Sequence, residues 1–145
     1  MSIKIALGSD HAGFELRGEV AAYLEKGGFE YTILGCREGE SCDYPLVARE
    51  VCALITEKKA DLGILICGTG IGISIAANKI KGIRAALCTD TFMAKHSRLH
   101  NNANVLCLGG RVSGSGVALE ITEAFLTNEF KGGRHQRRVE LLEPC

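Results

Sequence analysis

The residues best placed to do chemistry lie in one short stretch of the sequence. Cys67 ends an almost continuously apolar run and precedes three glycines that alternate with Thr69 and Ile71. The three glycines are Gly68, Gly70 and Gly72. Alternating glycines allow positive φ and let successive backbone N–H groups turn toward one point, where a following helix adds its positive end. We therefore predict an anion-binding turn, with a sulfur at its edge in surroundings that favour the thiolate.

Other side chains that can bind an anion or move a proton follow other apolar runs. Asp10 and His11 come after the first run, and Arg111 comes after the last one. Further candidates are Tyr44, His100, Asn101, Arg134 and Arg138. The two last arginines are four residues apart, so they share a helix face in a basic arm that begins at about residue 132.

Each feature also has an interpretation without chemistry. A cysteine that ends a buried strand more often packs than reacts. His100, like His96, is typical of a polar helix surface, and residues 10–11 could form only a turn. The basic face of the tail could simply be solvated.

Alternating elements must position these residues. The strand-like segments are residues 3–8, 30–35, 62–67, 83–88 and 105–108. Helical stripes between and after them include Leu16, Val20, Tyr23 and Leu24, then Val47, Val51, Leu54 and Ile55 after Pro45, and finally Val117, Ile121, Phe125 and Leu126. This order predicts a Rossmann-like, three-layer α/β/α sandwich around a five-stranded parallel sheet. Ligands of such sheets bind beyond the carboxyl ends of the strands, so residues 10, 11, 44, 67, 90 and 111 should lie near one edge.

Composition narrows the class of protein. The 145 residues are 46% hydrophobic and carry no net charge, which predicts one domain over residues 1–145 and gives no reason to expect nucleic acid or a membrane as partner. The chain begins without a leader-like segment, so we expect a cytoplasmic protein. Seven cysteines without a C-x-x-C pair favour buried thiols over disulfides or a zinc site, and Cys67, Cys88 and Cys107 lie in apolar runs.

Three other uses of a glycine-rich turn fit poorly. G-x-G-x-G after the third strand differs from the dinucleotide motif, and no Gly-Lys-Ser/Thr follows as in a P-loop. A phosphatase loop usually closes with an arginine, where this chain has Ile73. We therefore predict no cofactor and no metal.

The motifs together resemble one family. GSDHAG, DYP, ICGTGIGISIAANK, RLHNNANVL, GGR and GGRHQRR occur in the order found in the ribose-5-phosphate isomerase B family, whose members also include allose and galactose 6-phosphate isomerases. The resemblance covers nearly the whole chain. It implies a metal-free isomerase that interconverts an aldose and a ketose phosphate, with an active site shared across a homodimer, or a tetramer built from it.

The resemblance also assigns roles by position. Cys67 would be the base that moves a proton between C2 and C1, with Thr69 beside it, and the backbone of residues 68–72 would hold the enediolate oxygens. His100 would assist ring opening, with Asp10 on the ring or its hydroxyls. Residues near the substrate or its phosphate would be His11, Tyr44, Asn101, Arg111, Arg134 and Arg138. One branch of the family uses a glutamate at the position of Ile73, so this chain resembles the cysteine type.

Two classes of function stay open on these grounds. One is an isomerase of ribose 5-phosphate or of a 6-phosphohexose, and the other is a non-catalytic module that binds phosphosugars. Which sugar is preferred depends on the depth of the pocket, which the sequence does not give.

Overall fold

The predicted strands form one parallel sheet in the computed structural model, which describes residues 2–143. The strands are β1 (Lys4–Ser9), β2 (Glu30–Gly35), β3 (Leu62–Cys67), β4 (Ala85–Leu87) and β5 (Val105–Gly109). The helices are α1 (Phe14–Lys26), α2 (Tyr44–Thr56), α3 (Ile71–Asn78), α4 (Thr91–Asn101), α5 (Ser115–Leu126) and α6 (Arg134–Leu142), and a short 3₁₀ helix (His11–Gly13) precedes α1. No helix in this part of the chain is long and apolar enough to span a bilayer.

The sheet order explains where a ligand should bind. The strands are arranged β2-β1-β3-β5-β4, and every neighbouring pair is parallel. The chain leaves β1 toward one side of the sheet and β3 toward the other, so the switch point lies between these two central strands. A crevice forms at the carboxyl ends of strands where the winding direction reverses. Asp10 and Cys67 stand at those two ends.

Helices cover both faces, as predicted. On one face, side chains of α1, α4 and α5 form a core with Ile5, Ile64 and Leu106. On the other face, α2 and α3 pack on Leu65, Cys67 and Cys107. All six residues of β3 are buried, which agrees with its unbroken apolar sequence. The prediction of a three-layer sandwich is confirmed.

The ends of the helices follow from local chemistry. Asp90 caps α4, because its carboxylate accepts a hydrogen bond from the Met93 N–H at 2.8 Å. Pro45 lies in the first turn of α2, where its missing N–H costs nothing. The expectation that Val117 is buried in α5 is wrong, because the buried face of that helix is set by residues 118, 121, 122 and 125, and Val117 is 48% exposed.

The prediction about cysteines is only partly correct. Cys67, Cys88 and Cys107 are buried free thiols, as expected. Cys36 and Cys42, however, are joined by a disulfide across the loop between β2 and α2. The two cysteines are six positions apart, which differs from the C-x-x-C spacing. Cys145 lies outside the described residues.

Candidate active site

Two of the three glycines in the turn after β3 are required, each for a different reason. Of the three, only Gly70 has a positive φ, +80°, and a Cβ there would lie 2.9 Å from the carbonyl carbon of Leu108. Gly72 instead makes room for a ring, because a Cβ would lie 2.6 Å from Cζ of Tyr44. A Cβ on Gly68 would approach no heavy atom closer than 3.4 Å. Of the three glycines that could adopt positive φ, only Gly70 does so.

The sulfur of Cys67 is held inside this turn. Its side chain is 4% exposed, and Sγ accepts a hydrogen bond from the Gly70 N–H at 3.2 Å. A donated N–H stabilises a thiolate more than a neutral thiol. Thr69 is exposed, and its Oγ1 accepts a hydrogen bond from the Ile71 N–H at 3.1 Å, which closes the first turn of α3. The arrangement places an acceptor sulfur next to the N-terminal end of a helix.

Two neighbouring loops are tied to the turn through their backbones. The Asp10 N–H donates to the carbonyl oxygen of Ile66 at 3.2 Å. The N–H groups of Gly110 and Arg111 donate to the carbonyl oxygens of Cys67 and Gly68, at 2.8 and 2.9 Å. These contacts bring the ends of β1, β3 and β5 together, as expected for residues 10, 67 and 111.

Glycines again permit the close approach of these loops. A Cβ on Gly13 would lie 2.5 Å from the Ile66 carbonyl oxygen, and one on Gly110 would lie 2.8 Å from that of Ala12. The carboxylate of Asp10 is buried, and its Oδ1 accepts from the N–H groups of Ala12 and Gly13 at 3.0 and 3.1 Å. Asp10 therefore fixes the 3₁₀ turn that presents His11.

His11 and Arg111 line one open cavity of about 510 Å³. Arg37 and Glu40, from the loop after β2, line it as well. The Cys42 N–H points at Nδ1 of His11 at 3.2 Å, and the Ser41 hydroxyl lies 3.4 Å from the same nitrogen. Because a backbone N–H can only donate, Nδ1 must accept, and neutral His11 carries its proton on Nε2. The cavity thus offers an imidazole and two arginines to an anionic group, and its lining also includes the carboxylates of Glu15 and Glu40.

A second group of predicted residues meets elsewhere, between α4 and α6. His100, Asn101 and Arg138 line a cavity of about 270 Å³ together with His135. The rings of His100 and His135 stack with their centroids 4.2 Å apart and their planes 14° apart. Arg134 begins α6 and is exposed. Desolvation lowers the pKa of His100, and the charges of His135, His96, Lys131 and Arg134 lower it further.

The two groups lie at opposite edges of the sheet within one chain. Helix α4 starts at the carboxyl edge and runs for eleven residues, or about 16 Å, back to the amino edge. There the Asn102 carbonyl oxygen accepts a hydrogen bond from Nε of Arg84, the residue before β4, at 2.8 Å. His100 and Asn101 are therefore far from Cys67, and a single copy of the chain does not bring all the predicted residues together.

Sequence reasoning missed several residues that line these cavities. Arg37 and Glu40 belong to a polar loop without a motif, and only its position after an edge strand could have indicated them. His135 falls within the basic arm that the sequence predicts from about residue 132, and that pattern does not single it out. Its burial beside Val139 follows from the four-residue spacing of two less polar residues on α6, a signal that was available.

The other free thiols of the described residues, those of Cys52, Cys88 and Cys107, are buried and poorly reactive. Burial raises the pKa of Cys52 to about 12 and that of Cys88 to about 11. Burial also raises the pKa of Cys107 well above its usual value. These three residues stay neutral near pH 7 and pack as small apolar groups. Within residues 2–143, no cluster of three or more His, Cys, Asp or Glu side chains is arranged to hold a metal ion.

Comparisons with known proteins agree over nearly the whole chain. The family model described as Ribose/Galactose Isomerase matches residues 5–142. Ribose-5-phosphate isomerase B of Escherichia coli K12 is 48% identical over 139 residues, which are 96% of this chain and 93% of the relative. D-erythrulose-4-phosphate isomerase of Pectobacterium atrosepticum is 44% identical over 141 residues, covering 97% of this chain and 93% of the relative. The crystal structure of a ribose 5-phosphate isomerase from Thermotoga maritima superposes with a TM-score of 0.96 at 49% identity and covers 99% of both chains.

Matches of this extent define the class of the protein, which is that of the sugar isomerases, enzymes that act as intramolecular oxidoreductases. Within that class, the chain belongs to the ribose/galactose isomerase family. The family inferred from the order of the motifs is thereby confirmed.

Proposed function

We propose that the protein interconverts ribose 5-phosphate and ribulose 5-phosphate, with Cys67 as the catalytic base. The observation that supports this most directly is the buried Cys67 sulfur, hydrogen-bonded to the Gly70 N–H beside the start of α3. The thiolate removes the proton from C2 of the open-chain aldose, and the electron pair of that C–H bond forms the double bond of an enediolate. The proton is then delivered to C1, while the hydroxyl proton moves from O2 to O1.

The turn supplies the donors that this intermediate needs. Backbone N–H groups of the turn at residues 68–72 are assigned to the enediolate oxygens, with Thr69 and Ile71 at the rim. The Gly70 and Ile71 N–H groups already donate to Cys67 Sγ and Thr69 Oγ1, so the assignment falls first on the N–H groups of residues 68, 69 and 72. A positioned oxyanion donor contributes roughly 10²- to 10³-fold, and a general base roughly 10²- to 10⁴-fold. The start of the turn is already fixed by hydrogen bonds from the Gly110 and Arg111 N–H groups, just after β5, so little reorganisation is needed during the reaction.

Substrate binding is assigned to both groups of residues. His11 and Arg111 hold the phosphate from one side, and Arg134 and Arg138 approach it from the basic face of α6. Asp10, Tyr44 and Asn101 contact the sugar, and His100 opens its ring. Arginines suit this role because they stay charged and offer a planar set of donors to phosphate.

We further propose that a homodimer completes the site. His100 and Arg138 lie at the amino edge of the sheet and Cys67 at the carboxyl edge, so a second copy must bring one group to the other. A two-fold axis would form two equivalent sites from two chains.

Mixing two inactive variants tests this assignment. Cys67→Ala and His100→Gln chains should each be nearly inactive alone. After subunit exchange, half of the dimers are hybrids with one intact site each, and the mixture should recover about a quarter of the wild-type rate. Activity that stays absent after verified exchange would show that both residues act within one chain. Activity in either variant alone would contradict the residue roles instead.

A panel of aldose phosphates tests the reaction. Formation of ribulose 5-phosphate from ribose 5-phosphate should exceed ketose formation from allose or galactose 6-phosphate, and it should persist in excess chelator. Loss of activity that a divalent ion restores would overturn the metal-free mechanism. Binding without turnover of any sugar would favour a non-catalytic module.

A second candidate substrate class deserves a place in the panel, because one relative at 44% identity is named for a four-carbon sugar phosphate. The matching conversion is that of erythrose 4-phosphate to erythrulose 4-phosphate. A kcat/KM higher for this pair than for the pentose pair would make the four-carbon sugar the preferred substrate.

A further inference from the structure

Four rings form a continuous stack along α4 and onto α6. Phe92 contacts His96 with ring centroids 4.0 Å apart, and His96 meets the edge of His100 at 4.8 Å. His135 stacks on the ring of His100, with the ring centroids 4.2 Å apart. His96 is half-buried and His135 is 9% exposed, so the imidazole of His100 is enclosed from two sides.

The surroundings of His100 are basic on every element that packs against it. Helix α4 contributes His96, the segment before α6 contributes Lys131, and α6 contributes His135, Arg134 and Arg138. The Lys131 N–H donates to the Leu99 carbonyl oxygen at 3.1 Å, which keeps this segment close to the end of α4. A proton added to His100 would place a positive charge next to these basic groups, so protonation of His100 is unfavourable.

We propose that His135 is a positioning residue for ring opening: its ring, stacked flat on that of His100, fixes the plane of the His100 imidazole. The inference rests on the proposed function, in which His100 opens the sugar ring. His135 touches neither the reacting carbons nor, in this assignment, the phosphate. It acts through its neighbour.

Opening of the sugar ring requires that His100 be neutral. Opening a furanose requires a group that takes the proton of the O1 hydroxyl and returns a proton to the ring oxygen. Neutral imidazole does both, whereas imidazolium cannot accept the first proton. Desolvation and the charges of Arg134, Arg138 and Lys131 lower the pKa of His135 too, so both stacked rings remain neutral at physiological pH.

A four-carbon substrate separates ring opening from proton transfer. Ribose 5-phosphate closes into a furanose, but erythrose 4-phosphate cannot, because its O4 is esterified. His135→Ala should therefore lower kcat for ribose 5-phosphate by about tenfold and leave kcat for erythrose 4-phosphate within about twofold of wild type. His135→Phe, which keeps a flat ring in the stack, should recover most of the pentose activity.

The pH dependence gives a second, independent readout. Removing His135 takes away part of the desolvation of His100, and also the repulsion that His135 adds once it is protonated, so the pKa of His100 should rise toward its usual value. The acid limb of kcat for ribose 5-phosphate should then move to higher pH, and the NMR titration of the His100 ring should move with it. Should wild-type enzyme reject erythrose 4-phosphate, this titration decides the matter: an unmoved His100 curve in His135→Ala would overturn the proposal.

Val139→Ala serves as the matched control, since it loosens the same helix without removing an imidazole. If His135 only supports the helix, His135→Ala and Val139→Ala should both displace the arginines of α6. Both variants would then raise KM for ribose 5-phosphate and for erythrose 4-phosphate to a similar extent, and the pH profile of kcat would not change. Wild-type enzyme that isomerises neither sugar would refute the proposed function itself, and the NMR titration would still report on the stack.

Discussion

The turn after β3 and the histidine-rich contact between α4 and α6 achieve precision in different ways. The turn is made by backbone, within six consecutive residues, and its geometry is fixed by hydrogen bonds to adjacent loops. The α4–α6 contact is made by side chains from two helices that are more than thirty residues apart in sequence, and stacked rings fix it. The first can be recognised in the sequence as a motif, and the second becomes visible only when the helices are packed.

The largest effect should come from the turn. Cys67→Ala removes the proposed base, so kcat should fall by roughly 10²- to 10⁴-fold, whereas phosphate binding persists. Steady-state kinetics and binding of a non-isomerisable sugar phosphate measure the two quantities. Cys52→Ala, at a buried thiol outside the turn, is the control and should keep kcat; equal losses in both variants would mean that Cys67 only packs.

Within the α4–α6 contact, the arginine that lines the cavity of His100 should affect KM rather than kcat. Arg138→Ala removes a proposed charged donor to the phosphate. Such a contact is worth roughly 1.5 to 3 kcal/mol, so kcat/KM should fall by about one to two decades. Arg137→Ala is matched in charge and helix but does not line the cavity of His100. Similar losses in the two variants would indicate a general electrostatic effect instead of a phosphate contact.

Gly70 and Gly68, in the same turn, should differ in their tolerance of a side chain. Gly70→Ala places a side chain at φ +80° and against β5, and we expect a loss of roughly 1 to 3 kcal/mol in the free energy of unfolding. Gly68→Ala is the partner variant, since its Cβ meets only ordinary or slightly tight contacts, and it should lose much less. Denaturant unfolding of both proteins checks the difference, and equal stabilities would show that the backbone at residue 70 relaxes.

The smallest effect concerns the Cys36–Cys42 disulfide. The Cys42 N–H of its loop donates to His11. Opening the disulfide should therefore loosen one side of the cavity lined by His11 and Arg111, the proposed phosphate site, and raise KM by about twofold to fivefold. An added dithiol supplies the two electrons and two protons that yield two thiols, and is itself oxidised to a disulfide. The Cys36→Ser/Cys42→Ser double variant should show the same KM with or without the dithiol. A dithiol effect that persists in this variant would have to arise elsewhere.

Much of the fold was predictable because its signals are local. The apolar run of β3, Pro45 at the start of α2 and the cap at Asp90 each act within a few residues, and the sheet order then places Asp10 and Cys67 side by side. The contact between Gly72 and the Tyr44 ring was not predictable, because it joins two helices whose crossing no local pattern specifies. The same is true of the His100–His135 stack and of the disulfide.

The direction of α4 has a consequence for kinetics. If its far end meets the turn after β3 only in a second copy, an isolated chain holds two incomplete sites and no complete one. At concentrations well below the dissociation constant of the dimer, the fraction of paired chains is proportional to the total chain concentration. Initial velocity should then rise with the square of enzyme concentration and become linear only above that constant. The reaction order with respect to enzyme concentration therefore measures dimer formation directly.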